Sequence, residues 1–319
     1  MSNVAITIGT RDYDFITPLA TGDVTAEGID LTVLRSFDAL ARVTSDPAIH
    51  GGEASFSRHC QRLAAGDRSF VALPAFVMRE FRHRNFYVKR GSPLKDIADL
   101  RGKRVGMDAW PASGNTWSRA LMREAGASID GVEWVVGPAN PGEAVPPPDT
   151  LPSGVRRVPE GRSLSEMLVA GEIDCYFWAW VPAGFYEPGS PIVRLFPDYP
   201  AVERAYYRRT GIYPAHHIVV LRRDVVERHP AVVWSLYAAL VAARERTEQN
   251  RWTLHESSAW LLADLEAQAN LLGPGYRPYG YRENRRMVAA FCEEQHAQGL
   301  IRAPLDPDQV FADFEALTG

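Results

Sequence analysis

The stretch that decides the fold is Gly102-Lys-Arg-Val-Gly-Met107, a short apolar strand that is closed by the loop 108–115. A helix is predicted over 116–125 and a second strand over 132–136, which together make one strand–helix–strand unit. Outward from this unit, strands and helices alternate along most of the chain, with further strands predicted over 4–8, 29–34, 70–76, 86–89, 173–178 and 216–221. This alternation predicts an α/β architecture with mostly parallel sheets.

Three segments qualify this pattern. A Pro-rich stretch over 138–159 is too extended for a packed element and is predicted to be a surface excursion. Ser163 precedes Glu166 at the spacing of a capping box, which predicts a helix that begins there and ends at Gly171. After a long helix over 230–250, the chain is predicted to be mostly helical, with a break at 273–280.

Composition excludes several classes of protein. The 319 residues include 35 Lys and Arg against 39 Asp and Glu, and 46% are apolar. The absence of a basic block argues against nucleic acid as a partner, and the apolar content excludes a mostly disordered chain. No run approaches the roughly 18 apolar residues of a membrane span, and the N-terminus has no apolar signal region, so we expect a cytoplasmic protein without a membrane partner. The three cysteines have no metal or redox spacing and are expected to be buried apolar residues.

Ligands of open α/β sheets bind beyond the carboxyl ends of strands, so polar segments at those positions are the candidate sites. These segments are 11–14, 53–57, 78–83, 109–116, 178–180 and 211–217. The serines at helix starts have two interpretations, since they either bind an anion or only cap the helix. The tryptophans likewise either contact a ligand or belong to the core. The adjacent His216 and His217 point to opposite faces of a strand and do not readily share a metal. No known local catalytic motif is present, so these residues alone predict a two-lobed α/β protein that binds a small anion.

The runs that carry a family resemblance are Leu73-Pro-Ala-Phe, Phe81-Arg82-His83-Arg-Asn-Phe-Tyr-Val88, Asp99-Leu-Arg-Gly-Lys-Arg-Val-Gly106, Pro159-Glu-Gly-Arg-Ser-Leu-Ser-Glu-Met-Leu-Val-Ala-Gly-Glu-Ile-Asp174, Arg194-Leu-Phe-Pro-Asp-Tyr199 and Tyr206-Tyr-Arg-Arg-Thr-Gly-Ile-Tyr-Pro214. Together they resemble the 4,5-dihydroxyphthalate decarboxylase family over nearly the whole chain. The resemblance implies a type II periplasmic-binding-protein-like fold with two α/β lobes and a ligand cleft between them. The first lobe is then discontinuous, with residues 1–85 and 216–319, and the second covers 86–215.

The activity that the resemblance implies is cofactor-independent decarboxylation of a hydroxylated aromatic carboxylic acid, with a small aromatic carboxylate as the partner. Arg82 would bind the departing carboxylate, because a guanidinium engages a carboxylate bidentately. His83 or His217 would donate the proton to the ring carbon. The predicted substrate-binding residues are Asp14, Glu53, Ser55, Ser57, Trp110, Ser113, Asn115, Thr116, Trp178 and Tyr213; Asp14 or Glu53 would bind a ring hydroxyl or orient the histidine.

One stretch departs from the family pattern. Residues 175–182 carry four aromatic side chains and no arginine, where the family often has a basic residue. An aromatic wall at this position suits a substrate with one carboxylate fewer or a more apolar ring.

Other interpretations stay open at the level of sequence. A non-catalytic solute-binding protein and another lyase or hydrolase on the same scaffold both fit the fold, because fold does not fix function. No metal ligand set is predicted, although a divalent ion bound by Glu53, Asp14 or a histidine would polarise a catechol-like substrate. A homo-oligomer is expected only from the general frequency of oligomers among enzymes of this size.

Overall fold

The computed structural model describes residues 3–143, 151–273 and 278–319. The chain divides into two compact units. Unit 1 comprises Met1–Arg79, Ala215–Glu293 and Ile301–Gly319, and unit 2 comprises Glu80–Pro214 and Glu294–Leu300. Residues 80–85 and 294–300 therefore group with unit 2, whereas the boundaries expected from the sequence placed both segments in the first lobe.

The strands are β1 (Val4–Thr10), β2 (Ile29–Arg35), β3 (Gly51–Ser55), β4 (Phe70–Arg79), β5 (Phe86–Lys89), β6 (Arg104–Met107), β7 (Glu133–Val136), β8 (Arg156–Arg157), β9 (Cys175–Phe177), β10 (Ile192–Arg194) and β11 (Ala215–Arg222). The helices are α1 (Thr17–Ala20), α2 (Ala39–Ser45), α3 (Phe56–Ala64), α4 (Ser113–Glu124), α5 (Leu164–Ala170), α6 (Tyr199–Thr210), α7 (Arg223–Arg228), α8 (Ala231–Thr253), α9 (Leu261–Leu272), α10 (Tyr281–Ala297) and α11 (Ala312–Thr318). Short 3₁₀ helices include Asp14–Ile16 and Ile97–Leu100.

The sheet of unit 1 has the strand order β2-β1-β3-β11-β4. β1 pairs in parallel with β2 and β3, and β11 runs antiparallel to β3 and β4. Alternate residues of these strands, such as Ile6 and Ile8 of β1, are buried in one core cluster with apolar residues of α8, such as Leu236 and Leu240. Burying one face of a strand and one stripe of a helix in this way is the ordinary solution for an α/β layer.

The sheet of unit 2 has the order β10-β5-β9-β6-β7-β8. β6 is parallel to β7 and β9, and β7 is parallel to β8, whereas β5 is antiparallel to β9 and β10. Both sheets are thus mixed: five of the nine strand pairs are parallel, a smaller share than the prediction of mostly parallel sheets implied. Among the described strands, every antiparallel pair involves β5 or β11, the first strands after the chain passes from one unit to the other. A strand that enters in this way is not delivered by a helical crossover and need not run parallel.

Local signals in the sequence were mostly accurate. The capping box is present: the Ser163 hydroxyl accepts from the Glu166 N–H, and the Glu166 carboxylate accepts from the Ser163 N–H at 2.8 Å. Gly171 then ends α5 in the left-handed conformation that favours glycine. The Pro-rich excursion contributes the short edge strand β8, and its residues 144–150 lie outside the described residues, as do 274–277 in the predicted helix break. The three cysteines are buried and free.

A candidate active site around Glu53 and His217

Two glycines place Glu53 in the centre of the sheet of unit 1. Gly52 has a φ of 137°, and a Cβ built on it would lie 2.0 Å from the carbonyl oxygen of Gly9 on β1. A Cβ on Gly51 would lie 2.2 Å from the carbonyl oxygen of Val220 on β11. Only glycines let β3 approach both neighbouring strands this closely. The next residue, Glu53, is consequently held between β1 and β11 with no solvent exposure.

The Glu53 carboxylate accepts hydrogen bonds at both oxygens. Oε1 accepts from the Tyr13 hydroxyl at 2.7 Å and lies 2.5 Å from Nδ1 of His217. Oε2 accepts from the backbone N–H of Arg11 at 2.8 Å and from the Thr10 hydroxyl at 3.3 Å. A buried carboxylate with this number of donors is compensated for the water it has lost, which is the condition for burying a charge.

An irregularity in β11 presents His217 to this carboxylate. In the pairing of β11 with β4, the register shifts between Ala215 and His217 and again between His217 and Val219. Such bulges re-aim a side chain out of the regular alternation of a strand. His217 is buried, with 8% of its surface exposed, and its ring contacts the Glu53 carboxylate through Nδ1.

The electrostatics favour an ionised glutamate beside an imidazole. Burial alone would raise the pKa of Glu53, but the hydrogen bond and charge of His217, with the N–H of Arg11, hold that pKa below its ordinary value. Burial lowers the pKa of His217, against the hydrogen bond and charge of Glu53. Burial and the Glu53 charge raise the pKa of Tyr13, so its hydroxyl keeps its proton. With Nδ1–H donated to the ionised Glu53, the lone pair of the neutral imidazole lies on Nε2.

Four predicted site residues of unit 2, together with Asp108, come together at one end of its sheet. Phe177 of β9 pairs with Met107 of parallel β6 and with Phe86 of antiparallel β5. The residues that follow β6 and β9 and those that precede β5 therefore share one end of the sheet. They are Asp108 and Asn115, Trp178, and the pair Arg82 and His83.

Arg82 is buried, with 2% of its surface exposed, and its guanidinium is already engaged. Nη1 lies 3.0 Å from a carboxylate oxygen of Glu80, and Nε donates to the Ser118 hydroxyl at 3.4 Å. Gly114, in the first turn of α4, packs on the guanidinium so closely that a Cβ there would lie 2.9 Å from Cζ. The arrangement fixes Arg82 beside the start of α4, where Asn115 donates to Asp108 at 2.7 Å.

His83 lies in a different environment from His217. Its ring packs on Phe196 and Tyr206 with centroid distances of 6.1 and 5.2 Å. Nδ1 is buried and has no hydrogen-bond partner within the described part of the chain. Burial, followed by the charges of Arg209 and Arg84, lowers the pKa of His83 to about 4. His83 is therefore a neutral imidazole at physiological pH.

Several other predicted residues make local structural contacts. Asp14 is exposed and forms an ion pair with Arg251 at 2.6 Å. Ser55 caps α3 by accepting from the N–H of Arg58 at 3.4 Å, and Ser57 accepts from Gln61 at 3.0 Å inside the same helix. These contacts anchor the loop after β1 and the start of α3.

The remaining predicted residues lie in unit 2. Trp110 is buried under the guanidinium of Arg119, whose Cζ is 4.3 Å from the ring centroid. Ser113 and Thr116 are buried in the first turn of α4, where Thr116 donates to the carbonyl of Ala112 at 3.2 Å. Elsewhere in unit 2, Trp178 packs edge-on against Trp180. The centroid of the Tyr213 ring lies 4.8 Å from that of Phe81.

Four residues of these clusters were not among the predicted site residues, namely Thr10, Tyr13, Glu80 and Asp108, although Tyr13 and Glu80 lie within the candidate segments 11–14 and 78–83. Tyr13 lies next to the predicted Asp14, and the signal that would have found it is its position directly after β1. Glu80 and Asp108 likewise follow strand ends. For a metal, the described residues hold no group of three or more His, Cys, Asp and Glu side chains arranged to bind one.

The comparisons with known proteins decide the family. The chain is 32% identical to a protein of Comamonas testosteroni named 4,5-dihydroxyphthalate decarboxylase, over 98% of this chain and 97% of that protein. The chain belongs to the 4,5-dihydroxyphthalate decarboxylase family. A family member of the same name from Pseudomonas putida is 29% identical over 65% of this chain and 83% of its own length. No protein-family model matches the sequence.

Solved structures confirm the predicted fold of this family member. The periplasmic aliphatic sulphonate binding protein SsuA from Escherichia coli has a TM-score of 0.53 at 16% identity, covering 97% of this chain and 92% of its own. The desulfurization enzyme DSZB has a TM-score of 0.52 at 17% identity, with 99% of both chains covered. The fold is that of the periplasmic binding proteins. Among the described helices, none is long and apolar enough to cross a membrane.

Proposed function

We propose that this protein decarboxylates a hydroxylated aromatic carboxylic acid of the 4,5-dihydroxyphthalate class, with Glu53 and His217 as its acid–base pair. The family supports a decarboxylase, and the names of the two relatives supply the substrate class. The observation that carries the choice of residues is the 2.5 Å contact between Glu53 Oε1 and His217 Nδ1. An imidazole oriented by a buried carboxylate is a recurrent acid–base arrangement in enzymes.

The chemistry requires one proton at one carbon. The ring carbon that bears the carboxylate takes a proton, the bond between that carbon and the carboxylate breaks, and its electron pair restores the aromatic ring. Carbon dioxide leaves, and one proton is consumed in each turnover. In this proposal Nε2 of His217 delivers the proton, and solvent restores it afterwards.

Each feature of the pair assists that transfer. The ionised Glu53 stabilises the imidazolium that carries the proton and fixes the tautomer through Nδ1. Burial lowers the pKa of His217, which makes its imidazolium a stronger acid toward carbon. The hydroxyls of Thr10 and Tyr13 and the N–H of Arg11 keep Glu53 in place, so the carboxylate does not need to reorganise during the reaction.

The test is turnover of purified full-length protein on 4,5-dihydroxyphthalate and a panel of hydroxybenzoates, measured as carbon dioxide and as product by chromatography. We expect decarboxylation of at least one acid, and we expect it to survive dialysis against a chelator. Glu53→Gln keeps the shape of the side chain and removes its charge, and should lower kcat by about a hundredfold. Thermal stabilisation by an acid of the panel without any turnover would overturn the proposal in favour of a binding protein.

A further inference from the structure

Tyr13 and His217 meet the same oxygen atom of Glu53. The Tyr13 hydroxyl donates to Oε1 at 2.7 Å, and His217 Nδ1 lies 2.5 Å from that atom. The other oxygen, Oε2, is occupied by the Arg11 N–H and the Thr10 hydroxyl. The hydroxyl of Tyr13 is therefore placed to compete with the imidazole for one acceptor.

The direction of that hydroxyl is fixed by the fold. The Tyr13 ring stacks on Phe15 with a centroid distance of 5.0 Å and an interplanar angle of 10°. Phe15 is buried in the 3₁₀ helix Asp14–Ile16, and Asp14 ties this helix to α8 through its ion pair with Arg251. Because the ring is already fixed on one face by a buried phenylalanine, little further side-chain conformational entropy is lost when its hydroxyl hydrogen-bonds to Glu53.

We propose that Tyr13 is a positioning residue. Its hydroxyl shares Oε1 of Glu53 with His217 and so weakens the hydrogen bond between the carboxylate and the imidazole. This inference rests on the proposed function of the Glu53–His217 pair. Each donor neutralises part of the carboxylate charge. Removal of the hydroxyl leaves a more negative oxygen, which binds Nδ1–H more strongly and favours the imidazolium. Tyr13 thereby limits how strongly Glu53 stabilises the imidazolium of His217, so that His217 gives up its proton to a substrate more easily.

The elements packed against the strand of His217 carry further charged and titratable groups. Besides Glu53 on β3 and Arg11 and Tyr13 after β1, they are Arg79 on β4, Arg58, His59, Cys60 and Arg62 on α3, and Arg223, Asp224, Glu227 and Arg228 on α7. The side chain of His59 lies against the carbonyl of Val310, and that of Arg79 donates to Asn284 and to the carbonyl of Pro278. The guanidinium of Arg11, whose Nε lies 4.0 Å from Oε1 of Glu53, is retained in Tyr13→Phe, so the substitution removes a hydroxyl donor from the carboxylate and leaves this charge in place.

The test is the titration of His217 in the full-length protein with labelled histidine, followed by NMR, with His217→Asn to assign the signal. Tyr13→Phe keeps the ring and its stacking and removes the hydroxyl. We expect the titration midpoint of His217 to move upward by about one pH unit. Tyr281→Phe, which removes a tyrosine hydrogen bond to Asp308 elsewhere in unit 1, is the matched control and should leave the midpoint unchanged.

Phe15→Leu provides a second variant in case Tyr13→Phe does not fold. It keeps the hydroxyl but weakens the stacking, and should move the midpoint in the same direction by a smaller amount. An unchanged midpoint in both variants would overturn the inference. If the midpoint moves but the wild-type protein turns over no acid, the inference stands and the proposed function fails.

Activity separates a positioning role from a direct one. For Tyr13→Phe, we expect the pH profile of kcat to move upward by the same amount as the titration, with KM changed less than twofold. A large loss of kcat at every pH, without a displaced profile, would overturn the positioning role because it would show that the hydroxyl contacts the substrate.

Discussion

Two buried histidines of this protein have contrasting surroundings. His217 in unit 1 lies 2.5 Å from an ionised carboxylate, whereas His83 in unit 2 lies among aromatic rings and arginines, with Nδ1 unpartnered within the described residues. Both are at least nine-tenths buried, and burial lowers the pKa of each. Only His217 has a partner that stabilises its cation. Burial alone thus removes the charge of a histidine, and a carboxylate is needed to make a buried histidine a proton carrier.

The largest expected effect separates the two histidines by activity. His217→Ala should lower kcat by about 10²- to 10⁴-fold, equivalent to about 3–5 kcal/mol in the activation free energy, because the proton donor is lost. His83→Phe should lower kcat less than tenfold, because phenylalanine preserves the packing on Phe196 and Tyr206. Steady-state kinetics on the best acid of the panel checks both values.

Circular dichroism and thermal unfolding of both variants provide the control for folding. The assignment fails if the losses are reversed, with His83→Phe severe and His217→Ala mild. Equal and severe losses in two folded variants would mean that His83 also takes part in the reaction.

A second effect concerns stability in acid. Because burial and the charges of Arg209 and Arg84 lower the pKa of His83 from 6.5 to about 4, the unfolded chain binds a proton at pH values where the folded one does not. The stability that neutral His83 retains above pH 6.5 is therefore lost as the pH falls toward 4, by about 3 kcal/mol. We expect urea unfolding between about pH 7 and pH 4 to show this loss in the wild type and a smaller one in His83→Phe.

His59 contributes a similar pH dependence to the free energy of unfolding, since burial also lowers its pKa to about 4. It is present in both proteins and cancels when the two pH dependences are subtracted. Identical pH dependences of the wild type and His83→Phe would show that His83 already carries a proton in the folded state at these pH values.

The fold could be predicted from the sequence because its signals are local or spread along the whole chain. Ser163 and Glu166 are three residues apart, so their reciprocal capping is visible in the sequence itself. The runs of residues that resemble the family extend over nearly the whole chain, and they led to the correct fold although they did not indicate which strands are antiparallel.

The site was predictable only in part, because its geometry depends on contacts that are distant in sequence. Glu53 and His217 were both candidates, but they are 164 residues apart, and no local pattern pairs them. The loop after β1 was identified, yet Asp14 was chosen although its neighbour Tyr13 contacts Glu53. Which of two adjacent side chains faces a site depends on the turn between them, and here a short 3₁₀ helix makes that choice.

A smaller effect is expected from a substitution next to Arg82 in unit 2, the residue that we expect to bind a substrate carboxylate. In Gly114→Ala, the new Cβ would lie 2.9 Å from Cζ of Arg82, so the guanidinium must leave its place beside Glu80. We expect a loss of about 1–2 kcal/mol in the free energy of unfolding and a several-fold increase in KM. Gly131→Ala, where a Cβ meets nothing within 4 Å, is the matched control. An unchanged KM in a destabilised Gly114→Ala protein would leave Arg82 with a structural role alone.

The smallest effect concerns Ser55, which lies opposite His217 in the pairing of β3 with β11. Its hydroxyl accepts from the N–H of Arg58 at 3.4 Å and so caps α3, whereas the sequence predicted a substrate contact. Ser55→Ala should cost about 1 kcal/mol of unfolding free energy and leave kcat and KM within twofold of wild type, because the cap serves the helix. Ser163→Ala, which removes the cap of α5, should cost a similar amount. An increase in KM without loss of stability would instead show that the Ser55 hydroxyl serves the substrate, and would extend the acid–base cluster of Glu53 and His217 along β3.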